Sequence, residues 1–150
     1  MRVVALLLFV MALFVAIFPQ FYTCQSHGFS IQLPKGTIPM RCLWTAYAET
    51  TLGVILAVVA VGMWFLKGKE ARIFLSILGI IIGFAILMMV TRFLFGIGVC
   101  VNPDMPCVVY MRPAVYTVAP LIIVISAVGL AINLVTFKPG SPRGLGSSKR

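Results

Sequence analysis

Four cysteines, Cys24, Cys42, Cys100 and Cys107, are the residues of this chain best equipped for chemistry. Thiols can form structural disulfides, exchange disulfides as thiolates, or ligate soft metals. Four cysteines allow three pairings. The local one, Cys24–Cys42 and Cys100–Cys107, would staple two helical hairpins at their open ends, because packed helices lie only about 8–10 Å apart. Two such disulfides are the leading expectation for these residues. Exchange chemistry is less favoured, since no Cys-x-x-Cys occurs to support a low thiolate pKa. Met40, Met105 and Met111 lie near Cys42 and Cys107, and sulfur ligands of both kinds favour Cu(I). Methionine is also an ordinary filler of apolar gaps. His27, the only histidine, completes no recognisable ligand cluster. The pattern therefore assigns no metal ligands, no cofactor and no catalytic residue.

Two ionisable groups fall inside apolar runs, where charge is costly and marks a candidate functional site. Glu49 lies seven residues beyond Cys42, and Arg92 eight residues before Cys100. At about 1.5 Å per helical residue both stand roughly 10–12 Å from the cysteine level. Equal depth on successive helices predicts an intramembrane Glu49–Arg92 ion pair. Ser76, Gly79 and Gly83 share one face of the third run, and small residues at that spacing let helices approach closely.

The elements that must position these groups are set by composition. Of 150 residues, 61% are hydrophobic and 10% charged, against about 25% charged in a typical soluble domain. Hydrocarbon must be the main solvent. A helical span needs about 20 apolar residues, and four runs qualify, at about 3–22, 43–66, 73–99 and 113–137. The expected fold is an all-α integral membrane four-helix bundle. Pro113 suits a first helical turn, and Pro120 should kink the last span. Trp44, Tyr47, Tyr110 and Tyr116 read as interfacial anchors. The Gly-, Ser- and Pro-rich basic tail, 138–150, should be disordered. Arg2, Lys67, Lys69, Arg72, Lys138, Arg143, Lys149 and Arg150 outnumber Lys35, Arg41 and Arg112 on the opposite side. That bias predicts a multi-pass protein of the cell membrane with both termini cytoplasmic and the cysteines outside. The net charge of +9 is scattered over loops and tail rather than gathered on one face, which argues against nucleic-acid binding.

The chain also reads as two halves. Each has a helix, a cysteine at its end, a loop closing in a Pro-containing Met-x-Cys, and a second helix. This predicts two duplicated helical hairpins of the same orientation, related by an axis along the membrane normal.

The stretch Met40-Arg41-Cys42-Leu43-Trp44-Thr45-Ala46-Tyr47-Ala48-Glu49, followed by Gly53, resembles the Met-x-Cys-x-(aromatic)-Thr-Ala-x-Ala-Glu signature of an uncharacterised family of small four-span bacterial and archaeal membrane proteins, a domain of unknown function. Gly98-Val99-Cys100, Met105-Pro106-Cys107 and Pro113 resemble its second outer loop and last helix, so the similarity runs over roughly 20–137. The resemblance implies that Cys24, Cys42, Glu49, Cys100 and Cys107 form a shared constellation. Members of the family it resembles are often encoded near membrane transport complexes, particularly ABC-type permeases, which implies an association with them.

The resulting expectation is a non-enzymatic accessory or interaction subunit of a larger membrane assembly. Its partners would be the lipid bilayer and a membrane protein or further copies of itself. One alternative is a membrane thiol–disulfide oxidoreductase, whose layout resembles quinone-linked disulfide-forming enzymes. Another is a Cu(I) or small-solute binding protein.

Overall fold

Backbone polar groups in lipid must be satisfied within the protein, and a helix does so along its whole length. The apolar runs accordingly fold as helices. The computed structural model describes residues 2–28, 31–34, 36–66, 68–91 and 96–135. It contains α1 (Arg2–Phe21), α2 (Arg41–Phe65), α3 (Lys69–Val90) and α4 (Arg112–Val135), the last entered through a π-helical turn, Cys107–Met111. Among the described residues four helices, counting that turn with α4, are long and apolar enough to cross a membrane. The chain is an all-α four-helix membrane bundle. A two-stranded antiparallel hairpin, β1 (Ile31–Leu33) and β2 (Gly36–Ile38), forms in the loop between α1 and α2.

Burial follows the pattern of a protein solvated by lipid. On α2 the buried positions are Cys42, Thr45, Ala46, Glu49, Gly53, Leu56, Val59, Ala60 and Met63, a single helical stripe. The opposite face exposes Val54, Ile55, Val58, Val61 and Trp64. Such an apolar exterior suits hydrocarbon. Trp44, Tyr47, Tyr110 and Tyr116 are exposed near the cysteine end of the bundle.

α1 packs mainly on α2 and α3 mainly on α4, with α2–α3 and α1–α4 contacts closing the bundle. Between α1 and α2 the approach is close. A Cβ at Gly53 would stand 2.7 Å from the Ala16 nitrogen and 2.9 Å from its Cα. One turn away, the Thr50 hydroxyl donates to the Ala16 carbonyl (3.0 Å) and accepts from Gln20 Nε2 (2.7 Å). Without water, such bonds clasp helices at about 0.6 kcal/mol each. Between α3 and α4, Gly79 faces Ser126 Oγ, 2.7 Å from its would-be Cβ. Gly83 similarly faces Ile123 Cγ1 at 2.7 Å, while Ser76 is buried. The small-residue face is therefore turned inward, against α4.

Three span boundaries differ from the sequence expectation, the smallest being the start of α3 at Lys69 rather than 73. The third span ends at Val90, well short of 99. Beyond it the chain reverses: Gly98 adopts φ +72°, a conformation costly for residues with a Cβ, and its N–H returns to the Met89 carbonyl (3.0 Å). The fourth span begins at Cys107 rather than 113. Pro113 thus stands in the first turn of α4, as expected, but directly after a helical turn that extends the span. Its ring removes a donor and crowds the preceding turn. The wider turn accommodates this, with the Arg112 N–H bonded to the Cys107 carbonyl five residues back. The basic tail expectation lies outside the described residues.

Candidate metal centre

Each hairpin delivers one cysteine from the segment leaving its first helix and one from the start of its second. Cys24 follows α1 and enters a short 3₁₀ turn, Gln25–His27, closed by Gly28 at φ +80°. Cys42 is the second residue of α2, and Cys107 opens the π-helical turn. Cys100 lies in the segment after α3. That segment is tied to α2 by a buried bond from Thr45 Oγ1 to the Gly98 carbonyl (2.7 Å).

These four positions meet. All four Sγ atoms lie within 4.8 Å of one another. Cys24 Sγ is 3.2 Å from Cys107 Sγ and 3.5 Å from Cys100 Sγ. All are free thiols, with separations well beyond the about 2.05 Å of a disulfide. The two local staples expected from sequence are therefore not what this structure holds; the Cys24–Cys107 and Cys24–Cys100 sulfur contacts cross between the hairpins. A tetrahedral ion with metal–sulfur bonds of about 2.3 Å places its sulfurs about 3.8 Å apart. The observed spread brackets that spacing, so the donor set fits one soft ion.

Electrostatics point the same way. Cys24, Cys42 and Cys107 are fully buried, and Cys100 is partly exposed. Burial, the largest cause, pushes the Cys24 thiol up to about 12. Burial therefore holds that thiol protonated, and a bound cation would offset the cost of ionising it. Two features suit a negative sulfur on Cys42: the start of α2, and the Cys24 N–H donated to Cys42 Sγ (3.4 Å). Arg41 and Arg112 stand on the two cavities that Cys100 also lines, supplying positive charge nearby.

The other expected site residues stand apart. Glu49 is fully buried two turns along α2 from Cys42, on the same face. Its carboxylate oxygens have no hydrogen-bond partner among the described residues. Arg92 lies outside the described residues, and with it the proposed ion pair. If the two pair, Glu49→Leu and Arg92→Leu should each destabilise the protein, and the double variant should cost less than the sum by at least about 1 kcal/mol. Chemical or thermal unfolding in detergent measures this; additive losses would dismiss the pairing. His27 bonds to the Thr23 carbonyl and Ser26 rather than joining the cysteines.

Sequence spacing could not display the convergence, because the cysteines come from four separate segments. The signal that could have found it was the repeated pattern of helix, cysteine, loop closing in Met-x-Cys and second helix, which leads one to expect all four cysteines at one end of the bundle. Thr45, whose hydroxyl holds the Cys100 segment, gave no separate sequence signal beyond its place in the motif.

Comparison with curated proteins and with solved structures returns no match. A family model does match, over residues 3–132, and it is described as Domain of unknown function (DUF4418). Spanning most of the chain and all four helices' cysteine-bearing ends, that match makes this protein a member of the DUF4418 family.

Proposed function

We propose that this protein binds one soft metal ion through Cys24, Cys42, Cys100 and Cys107, at the outer boundary of the cell membrane with both termini cytoplasmic. The convergence of four free sulfurs within 4.8 Å carries the reading. Soft thiolate donors favour Zn²⁺ or Cu⁺ over hard cations. No oxidation or hydrolysis is required of the chain itself. Its own residues gather, desolvate and release the ion, so the role fits an accessory subunit that holds metal for a larger membrane assembly, including an ABC-type transporter.

A second reading uses the same atoms. At 3.2 Å, Cys24 and Cys107 are poised to close into a disulfide once two protons and two electrons pass to a partner's disulfide or another oxidant. Metal-free protein in an oxidising compartment would collect in that state. Purification under anaerobic conditions separates the readings by metal and thiol content. One soft ion per chain, with all four thiols blocked to alkylation until a chelator is added, is the expected result. Metal-free protein carrying two disulfides that cycle with a partner would instead establish exchange chemistry.

Binding should also depend on pH. A thiol held near pKa 12 must lose its proton to ligate. Metal affinity therefore rises with pH, by about tenfold per unit for each proton displaced below that pKa. Competition titrations between pH 6 and 8 read the slope, and a flat profile would argue that thiolates are not the ligands.

A further inference from the structure

We propose that Met40, Met105 and Cys100 form the port through which the cluster is loaded, and that this port selects Cu⁺. The inference rests on the four-cysteine reading above and adds the route and the identity of the ion.

Three of the four sulfurs are sealed: Cys24, Cys42 and Cys107 have no exposed surface. Cys100 is the partly exposed member. It stands between two cavities, of about 430 Å³ and 400 Å³. An arriving ion must therefore reach Cys100 first. The larger cavity adds Met40, Arg41, Asn102 and Met105 to its wall. The other, holding Arg112 and Tyr116, brings no second sulfur residue.

Both methionines are placed by the same elements that place the buried ligands. Met40 is the residue before α2, two positions from Cys42. Met105 donates its N–H to the Asn102 carbonyl (3.3 Å), and its own carbonyl accepts from Val108 and Val109 in the turn that begins at Cys107. Each methionine is half-buried, packed against the edge of the core while also lining the cavity wall. Met111 makes the contrast: it is fully buried among apolar residues and serves as packing.

The chemistry of the wall is selective. Thioethers are neutral, soft donors at every pH, suited to Cu⁺ and poor for Zn²⁺. Arg41 at the same mouth repels a divalent aquo ion about twice as strongly as a monovalent one at equal distance. Loading is ligand exchange without redox change. A thioether bonds to Cu⁺ as the donor's ligand leaves. Cys100 then yields its proton to solvent as its thiolate binds, and the thioether is released.

The test presents Cu⁺ as its bathocuproine disulfonate complex to the reduced full chain in detergent under anaerobic conditions, following loss of the chelate's absorbance. Zn²⁺ loading is followed in parallel with a zinc dye. In the Met40→Leu/Met105→Leu double variant, Cu⁺ transfer should slow at least about tenfold. Final stoichiometry, four-thiol protection and the Zn²⁺ rate should match wild type. Met111→Leu should load Cu⁺ at the wild-type rate. An unchanged Cu⁺ rate in the double variant, or an equal slowing for Zn²⁺, would overturn the port while leaving the four-cysteine site standing. Failure of Cu⁺ to protect the thiols of wild-type protein would overturn the selection of Cu⁺. If Zn²⁺ fails to protect them as well, the underlying reading falls too.

Discussion

Replacing Cys107 by serine should lower metal affinity by at least about 100-fold and leave the helices assembled. The magnitude follows from what the sulfur does. Cys107 Sγ is fully buried and 3.2 Å from Cys24 Sγ, so its loss opens one corner of the coordination sphere with no solvent ligand able to enter freely. Even outer-shell partners of a metal ligand are worth about 10–100-fold in affinity, and a direct ligand should exceed that. Serine changes the volume little, so the bundle should keep its stability without metal. Cys24→Ser and Cys42→Ser should behave alike. Cys100→Ser should be milder, because its partly exposed position admits a water in place of the thiolate. Competitive titration against a chelator of known affinity measures all four. Equal, small losses at every position would indicate that the sulfurs act separately.

The second large effect is structural. Gly53→Ala should destabilise the protein by more than about 2 kcal/mol, whereas Gly83→Ala should cost about 1 kcal/mol or less. Both would-be Cβ atoms meet a neighbour at 2.7 Å. At Gly53 the neighbour is the backbone of α1, at Ala16 N and Cα, and cannot move unless the helix does. At Gly83 it is Ile123 Cγ1, a side-chain atom that a small shift of the isoleucine, rather than of a helix backbone, can relieve. Displacing α1 would also stretch the Thr50 bonds to Ala16 and Gln20 and shift Cys24 relative to Cys42. Metal affinity should therefore fall with stability in Gly53→Ala. Unfolding of both variants in one detergent gives the comparison, and equal costs would contradict the rigid α1–α2 contact.

Much of this architecture could be read from sequence, for physical reasons that differ by element. Four spans follow from the energetics of backbone in hydrocarbon, which few residues can override. α1 and α2 accordingly begin and end within about two residues of the apolar runs. The end of α3 was less legible, because Val, Ile, Leu and Phe continue past Val90 and hydropathy alone cannot register the reversal at Gly98. α4 itself starts within one residue of its expected place, with Pro113 in its first turn, but the π-helical turn that lengthens the span back to Cys107 was hidden behind that proline. At the site, the cysteines were recognisable and their common end was implied by the duplicated pattern. Their relation was not, since pairing within a hairpin and convergence across hairpins leave the same mark on the sequence. Tertiary packing of α1 with α2 and α3 with α4 decides between them, through contacts at Gly53, Gly79 and Gly83 that carry no chemistry of their own.

Metal-edge X-ray absorption on the reduced protein loaded with one equivalent of Zn²⁺ bears most directly on whether the four thiols act as one coordination sphere. Four sulfur scatterers at about 2.3 Å, with no nitrogen or oxygen in that shell, are the result this account requires. A shell of mixed oxygen and sulfur, or two sulfurs per ion, would show that the cysteines do not hold metal together.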